Sequence, residues 1–352
     1  MKIAGGEFEL IKRIKAQVKP NHPRAILGIG DDAAILPRPS GTLLACIDML
    51  VEDIHFISGI ISPWQLGWKA LAVNISDIAA MGGTPLYALV SIGLNSKADD
   101  AYIHEIYEGL TTIGNRFGVE IVGGDTVRSP EATVIDVAVI GEAKNPITRS
   151  GAKEGDLIAV TGHVGSSAAG LAWLLSKSRE ESREKPALEV AYGEPESDRV
   201  QPPWAEELIK AHLEPIPQVE AGQLLASTGM VTAMIDISDG VASEVNHIAE
   251  ESGKGAIVRA NSLPISQAAL RAGAVLGRDP LDWALFGGED YELIFTFRES
   301  GIEKVKQALE VAKKELLVIG RICEKSKGVA LLDRDGTYRE LPPAGYNHFA
   351  NR

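Results

Sequence analysis

Between Ser62-Pro63 and Gly82-Gly83 lies the stretch that restricts this chain most. Trp64, Trp68, Leu71, Ala72, Ile75, Ile78 and Ala79 recur there at helical spacing. The serine-proline pair supplies an N-cap and a first-turn proline, and the glycine pair before Pro85 stops the helix. Asp77 falls near the end of this apolar helix, with Asn74 one turn earlier on the same face. Asp77, like Asp48 in its own apolar segment, has no turn role of the kind in which an aspartate is usually found.

Strand-like and helix-like stretches alternate around it. Residues 43–48, 86–94, 119–122 and 132–140 read as strands, and 99–117 as a helix. A junction with Pro146 and three glycines spans 141–155. Beyond it, 157–161 reads as a strand, 167–175 as a helix, 220–227 as a helix, 234–237 as a strand, and 241–252 as a helix closed by Gly253. Residues 292–297 alternate as a half-buried strand does. Lys69, on the tryptophan helix, is expected to snorkel out of the core. From 176 to 203 charges cluster, apolar periodicity is lost and prolines recur; this predicts an exposed insertion, or a polar surface helix over part of it. The class is α/β or α+β in two domains, 1–150 and 151–352, with strand order left open.

Composition narrows the function. The 352 residues carry a formal net charge of −13, which argues against a broad basic surface for nucleic acid. No apolar run is long enough to cross a bilayer, and the first ten residues, with Glu7 and Glu9, lack a signal-peptide core. Cys46 and Cys323 make no metal or redox spacing, in keeping with a reducing cytoplasm. An acidic protein that handles phosphates needs divalent metal as a bridge.

The aspartates suit that role. Asp31-Asp32 follow Gly28-Ile29-Gly30, Asp48 ends an apolar strand, Asp125 follows Gly123-Gly124, and Asp236 and Asp239 flank Ser238 where a strand meets a helix. Magnesium takes oxygen ligands, typically a few carboxylates plus substrate phosphates. Against this, aspartates cap helices and make turns: Asp239 can cap the helix from Val241, and Asp125 can serve a turn. The glycine pairs, Gly287-Gly288 included, let backbone N–H groups approach phosphate oxygens, or simply make turns. There is no P-loop and no protein-kinase motif set. Arg149, beside Gly151, is placed to pair with a phosphate. His55-Phe56 and Glu289-Asp290-Tyr291 are candidate acceptor contacts, although a lone histidine is more often structural. No Ser/His/Asp triad or cysteine nucleophile stands out, an absence that phosphoryl transfer tolerates because positioning and charge neutralisation carry most of its catalysis.

Taken in order, these motifs resemble thiamine-monophosphate kinases: Gly28-Ile29-Gly30-Asp31-Asp32, the run from Asp48 to His55-Phe56, the run from Lys69 to Gly82, Gly123-Gly124-Asp125-Thr126, Asp236-Ile237-Ser238-Asp239-Gly240 and Gly287-Gly288-Glu289-Asp290-Tyr291. Phe8-Glu9-Leu10-Ile11 and Gly345-Tyr346-Asn347-His348-Phe349 match the two ends of that family. The resemblance implies an aminoimidazole ribonucleotide synthetase-like fold. Its N-terminal ATP- and magnesium-binding domain forms a β-barrel across a homodimer, and a C-terminal α/β domain covers it. It implies direct in-line transfer of the ATP γ-phosphoryl group to thiamine monophosphate in the cytoplasm, with several magnesium ions.

By the same resemblance Asp31, Asp48, Asp77, Asp125, Asp236 and Asp239 are metal ligands, with Asp48, Asp77, Asp125 and Asp239 catalytic. Tyr107, Gly124, Asp125, Arg149 and Ser238 contact nucleotide. His55, Glu289 and Tyr346 contact the acceptor, Tyr346 by stacking on its rings. Cys46-Ile47 stand where the family often has a hydroxyl residue before Asp48. Sister enzymes of the fold are the rivals. Selenophosphate synthetase wants a cysteine near the N-terminus, absent from residues 1–30, and the hydrogenase maturation factor ends in a cysteine where this chain has Arg352. A non-catalytic magnesium-nucleotide scaffold would leave His55, Glu289 and Tyr346 without a task.

Overall fold

The computed structural model describes residues 6–18, 24–30, 32–184 and 201–344. The chain forms two compact units, Met1–Pro146 and Ile147–Arg352.

In the first unit, α1 (Gly6–Gln17) precedes β1 (Thr42–Val51), α2 (Pro63–Ala80), β2 (Thr84–Leu94), α3 (Asp100–Phe117), β3 (Glu120–Arg128) and β4 (Val134–Ala143). The four strands lie in the order β1-β4-β2-β3. The β1/β4 and β4/β2 pairs are antiparallel and β2/β3 is parallel, so the sheet is mixed and open. Helix α2 starts as its sequence requires. Ser62 and Gln65 form a reciprocal capping box, and Pro63 occupies the first turn. From Leu66 to Ala80 every residue but Asp77 is buried. Lys69 does not snorkel: it is 1% exposed.

Helices α2 and α3 meet through two glycines. A Cβ on Gly67 would lie 1.9 Å from the Ile106 carbonyl oxygen, and one on Gly109 would lie 1.9 Å from that of Trp64. Backbone thus packs on backbone where the two helices cross.

Strand β3 is longer than the sequence pattern implies. The expected turn at Gly123-Gly124 is instead mid-strand, paired with Leu89 and Val90 of β2. Gly124 has φ +152°, and a Cβ there would fall 1.8 Å from the Val90 carbonyl oxygen. Only glycine allows β3 to continue through this point to Asp125.

The second unit holds β5 (Leu157–Val160), α4 (Ser166–Glu184), α5 (Pro203–Leu213), α6 (Val219–Ser227), β6 (Val231–Asp236), α7 (Val241–Ser252), β7 (Gly255–Arg259), α8 (Gln267–Leu276), α9 (Pro280–Phe286), β8 (Leu293–Phe297), α10 (Ile302–Val311), β9 (Leu317–Cys323), β10 (Val329–Leu332) and β11 (Tyr338–Glu340). Its sheet runs β11-β10-β7-β9-β5-β8-β6, with only the β10/β7 pair parallel. Strand β8 is not half-buried: all five residues are enclosed, so both faces of the sheet are covered there. Thr296, the residue that made it look two-faced, is satisfied by Thr232 at 2.7 Å on the neighbouring strand. The expected insertion begins as helix, because α4 continues to Glu184; its remainder up to residue 200 lies outside the described residues.

Gly109→Ala is expected to lower the urea unfolding midpoint, by about 1–3 kcal/mol of stability. Alanine's better helix propensity, about 1 kcal/mol, cannot offset a Cβ driven into a backbone carbonyl. An unchanged midpoint would show that the α2/α3 contact is loose.

Candidate active site

In the first unit the embedded aspartates converge. Asp48 on β1 and Asp77 on α2 are hydrogen-bonded to each other. The Cys46 thiol, on the same face of β1, donates to the Asn74 carbonyl oxygen at 3.3 Å, and the Asn74 amide donates to the Ala70 carbonyl oxygen at 3.1 Å. Cys46 is therefore turned toward α2. Its thiol is pushed far up, first by burial and then by the charges of Asp77 and Asp48, so it is held protonated and inert. Asp48 is accessible at its outer edge, yet its carboxyl is desolvated enough to be raised above the usual range. The bond with Asp77 pulls it down, and the nearby charge of Asp136 pushes it up again. Among the described residues none of the groups acting on Asp48 is basic.

Strand alternation puts Asp125 elsewhere. It is exposed on the sheet face opposite α2 and α3, level with Ser91 of β2 and Asp136 of β4. Its Oδ1 accepts the Thr126 N–H at 2.8 Å. Tyr107 of α3 lies on the helix side, 3% exposed. Its phenol is pushed up to about 12 by burial, against a hydrogen bond to Thr126, so it braces β3 directly beneath Asp125. His55 sits in the turn after β1, where Asp53 has φ +64°. The His55 Nδ1 accepts the Val51 N–H at 3.0 Å, which leaves the proton of the neutral ring on Nε2. Asp31 and Tyr346 lie outside the described residues.

In the second unit Asp236 ends β6 and is 4% exposed. Asp239 is not the cap of α7: the cap is Gly240, at φ +102°, and no side chain closes that end. Instead, Glu244 from the first turn of α7 reaches back. Its Oε1 accepts the Asp239 N–H at 3.0 Å and lies 3.4 Å from the Ser238 hydroxyl. Burial raises the Glu244 carboxyl to about 8, and the charges of Asp236 and Asp239 add to the rise. Arg149, exposed, opposes it. Nothing in the sequence pattern marked Glu244, which looks like any first-turn acid of a helix.

The loop from Gly287 to Tyr291 packs on the same turn. The Glu289 N–H donates to the Ser238 carbonyl oxygen at 2.8 Å, and the Tyr291 N–H to that of Ile237 at 2.9 Å. Glu289 and Tyr291 adopt φ +67° and +51°, strained values for residues with side chains. Asp290 is half-buried and accepts the Gly165 and Ser167 N–H groups at 2.6 and 3.0 Å; desolvation of its carboxyl pushes it to about 7.

Two acidic sets result, Asp48 with Asp77 in the first unit and Asp236, Asp239 and Glu244 in the second, while Asp125 stands apart on the opposite sheet face. Among the described residues no three acidic, histidine or cysteine side chains gather closely enough to hold a metal by themselves. The donor set nonetheless suits magnesium: carboxylates desolvated against one another, with little basic charge among them, gain from a divalent cation completed by phosphate oxygens and water.

Comparison with known proteins decides the family. The model for the N-terminal domain of AIR synthase related proteins matches residues 30–143, and that for their C-terminal domain matches 153–333. The thiamine-monophosphate kinase of Bacillus subtilis (strain 168) is 38% identical over 346 residues, covering 97% of this chain and 99% of that protein. This chain belongs to the thiamine-monophosphate kinase family. Among solved structures, the thiamine-monophosphate kinase from Stenotrophomonas maltophilia K279a is 34% identical, with a TM-score of 0.76 over 96% of this chain and 98% of that one. An AaThiL structure complexed with AMPPCP and TMP is 32% identical, with a TM-score of 0.74 over 98% of this chain and 97% of that one.

Proposed function

We propose that this chain phosphorylates thiamine monophosphate with ATP. A terminal phosphate oxygen of the acceptor forms a bond to the γ-phosphorus, the bond to the β-phosphate oxygen breaks, and thiamine diphosphate and ADP leave. The observation that carries this reading is the Asp48–Asp77 pair. It places two carboxylates in contact, on a face where Asp77 is the one residue of α2 between Leu66 and Ala80 left accessible. Full-length identity with thiamine-monophosphate kinases supports the choice of acceptor.

Asp48, Asp77 and Asp125 in the first unit, and Asp236 and Asp239 in the second, would hold magnesium, with Asp31 completing the set. Bound magnesium supplies neutralisation of the phosphate charge, the main catalytic need of such a transfer. The chain's own residues do the rest. Arg149 offers a guanidinium to phosphate oxygens, and Ser238 a hydroxyl beside them. Gly124, Asp125 and Tyr107 are assigned to the nucleotide, with Tyr107 bracing β3 through Thr126. His55 presents Nε2–H, and Glu289 a carboxylate, toward the acceptor; Tyr346 is assigned to its rings. The reading includes a cytoplasmic location, where ATP is plentiful.

A homodimer is part of the proposal. Leu43, Ile47 and Met49 of β1, Leu89 of β2 and Val127 of β3 alternate onto the same sheet face, each between 38% and 63% exposed. An apolar sheet face of this kind calls for a cover, and a second copy would close the two open sheets into a barrel. Light scattering should give the mass of two chains, and Ile47→Glu should reduce it to one. A wild-type monomer would remove the dimer from the account.

The activity test is incubation with ATP, magnesium and thiamine monophosphate, reading thiamine diphosphate. Asp77→Asn should lower kcat by about a hundredfold or more while the melting temperature holds, since a ligand to the transferred charge is lost. Failure to form thiamine diphosphate, with another acceptor phosphorylated instead, would reject the substrate. Near-normal turnover in Asp77→Asn would reject the role of the pair.

A further inference from the structure

His212 belongs to none of the motifs above, yet it touches one of them. It projects from α5, and its side chain is 8% exposed. Its Nδ1 lies 3.2 Å from the Glu289 Oε2 and 2.9 Å from the Ser167 hydroxyl. The Glu289 side chain is 27% exposed, so its carboxylate spans the boundary between a buried histidine and solvent.

The chemistry of the contact fixes the tautomer. An ionised carboxylate only accepts hydrogen bonds. For Nδ1 to lie against it favourably, Nδ1 must carry a proton. The Ser167 oxygen, also in reach, then accepts a share of that N–H or turns its own proton elsewhere. Ser167 is itself fixed, because its N–H donates to Asp290 at 3.0 Å. The two neighbours, Glu289 and Asp290, are thereby anchored through one serine and one histidine.

The backbone shows why such anchoring is needed. Glu289 is held at φ +67° and Tyr291 at +51°. A Cβ on Gly288 would strike the Ser238 carbonyl oxygen at 2.0 Å, so glycine is what lets the loop lie this close to that turn. Strained residues persist only where surrounding contacts over-determine them, and such residues cluster at functional sites. Backbone bonds to Ile237 and Ser238 fix the loop's path but leave the Glu289 side chain its rotamers. The His212 contact adds an anchor on the side chain itself.

We propose that His212, seated on Ser167, is the positioning residue for the Glu289 carboxylate and thereby sets affinity for the acceptor rather than for ATP. The proposal rests on the reading of Glu289 as an acceptor contact. A carboxylate held in one rotamer presents fixed negative charge to a cationic heterocycle, and the ordering cost is met before the acceptor arrives.

Steady-state kinetics of four variants tests this: Glu289→Gln, His212→Leu, His212→Asn, and Glu289→Gln combined with His212→Leu. The asparagine amide nitrogen falls close to where Nδ1 lies, so it can donate to Glu289. His212→Leu should raise KM for thiamine monophosphate about tenfold, the worth of one charge-assisted hydrogen bond, and leave KM for ATP unchanged. His212→Asn should recover most of the loss, and the double variant should be no worse than Glu289→Gln alone. Equal shifts in both KM values, no recovery by asparagine, or multiplicative losses in the double variant would overturn the positioning role. An unchanged acceptor KM in Glu289→Gln would instead reject the reading of Glu289, whatever His212 does. Should His212→Leu fail to fold, a Ser167→Ala variant with wild-type acceptor KM and no recovery in His212→Asn would count against the proposal.

Discussion

Two carboxylates in contact are an expensive arrangement. Unit charges about 4 Å apart repel by about 4 kcal/mol at an effective dielectric of about 20. At Asp48 and Asp77 a hydrogen bond takes the place of that repulsion, and it lowers the Asp48 carboxyl that burial raises. Much of the first unit can be understood as the means of imposing this contact. Gly67 and Gly109 let α2 and α3 touch backbone to backbone, the capping box fixes where α2 begins, and β1 carries Asp48 past its polar end. The second unit repeats the theme around Glu244, whose carboxyl is raised to about 8 by burial and by Asp236 and Asp239.

Polar atoms around these acids are spent on holding main chain. Glu244 ties down the Asp239 N–H, Asp290 the N-terminal amides of α4, and the Glu289 and Tyr291 N–H groups bind the turn that carries Ser238. The acidic side chains are thus presented on backbone that cannot easily retreat when charge changes. Preorganisation of this kind is what electrostatic catalysis requires, since reorganisation at the moment of reaction is avoided.

Much of this was legible in the sequence because the strongest signals were local. Ser62-Pro63, Gly82-Gly83 and a seven-position apolar stripe defined α2, and Asp77 stood out because nothing local explained it. Local signals also misled. Gly123-Gly124 reads as a turn, but Val90 of the neighbouring strand excludes any side chain there, and the pair continues β3. Thr296 reads as solvent-facing, but Thr232 across the strand satisfies it. Asp239 reads as a helix cap, but Gly240 takes that place. His212 and Glu244 gave no signal, since their partners lie on other turns or other elements. In each case the missing information was a contact made by the tertiary fold.

We propose the Asp48–Asp77 contact as a divalent-cation site. Manganese binding in the presence of a non-hydrolysable ATP analogue, followed by electron paramagnetic resonance on wild type and Asp48→Asn, tests it most directly. The account predicts at least about a tenfold loss of manganese affinity in the variant, with the melting temperature retained. Equal affinity in the two proteins would contradict it.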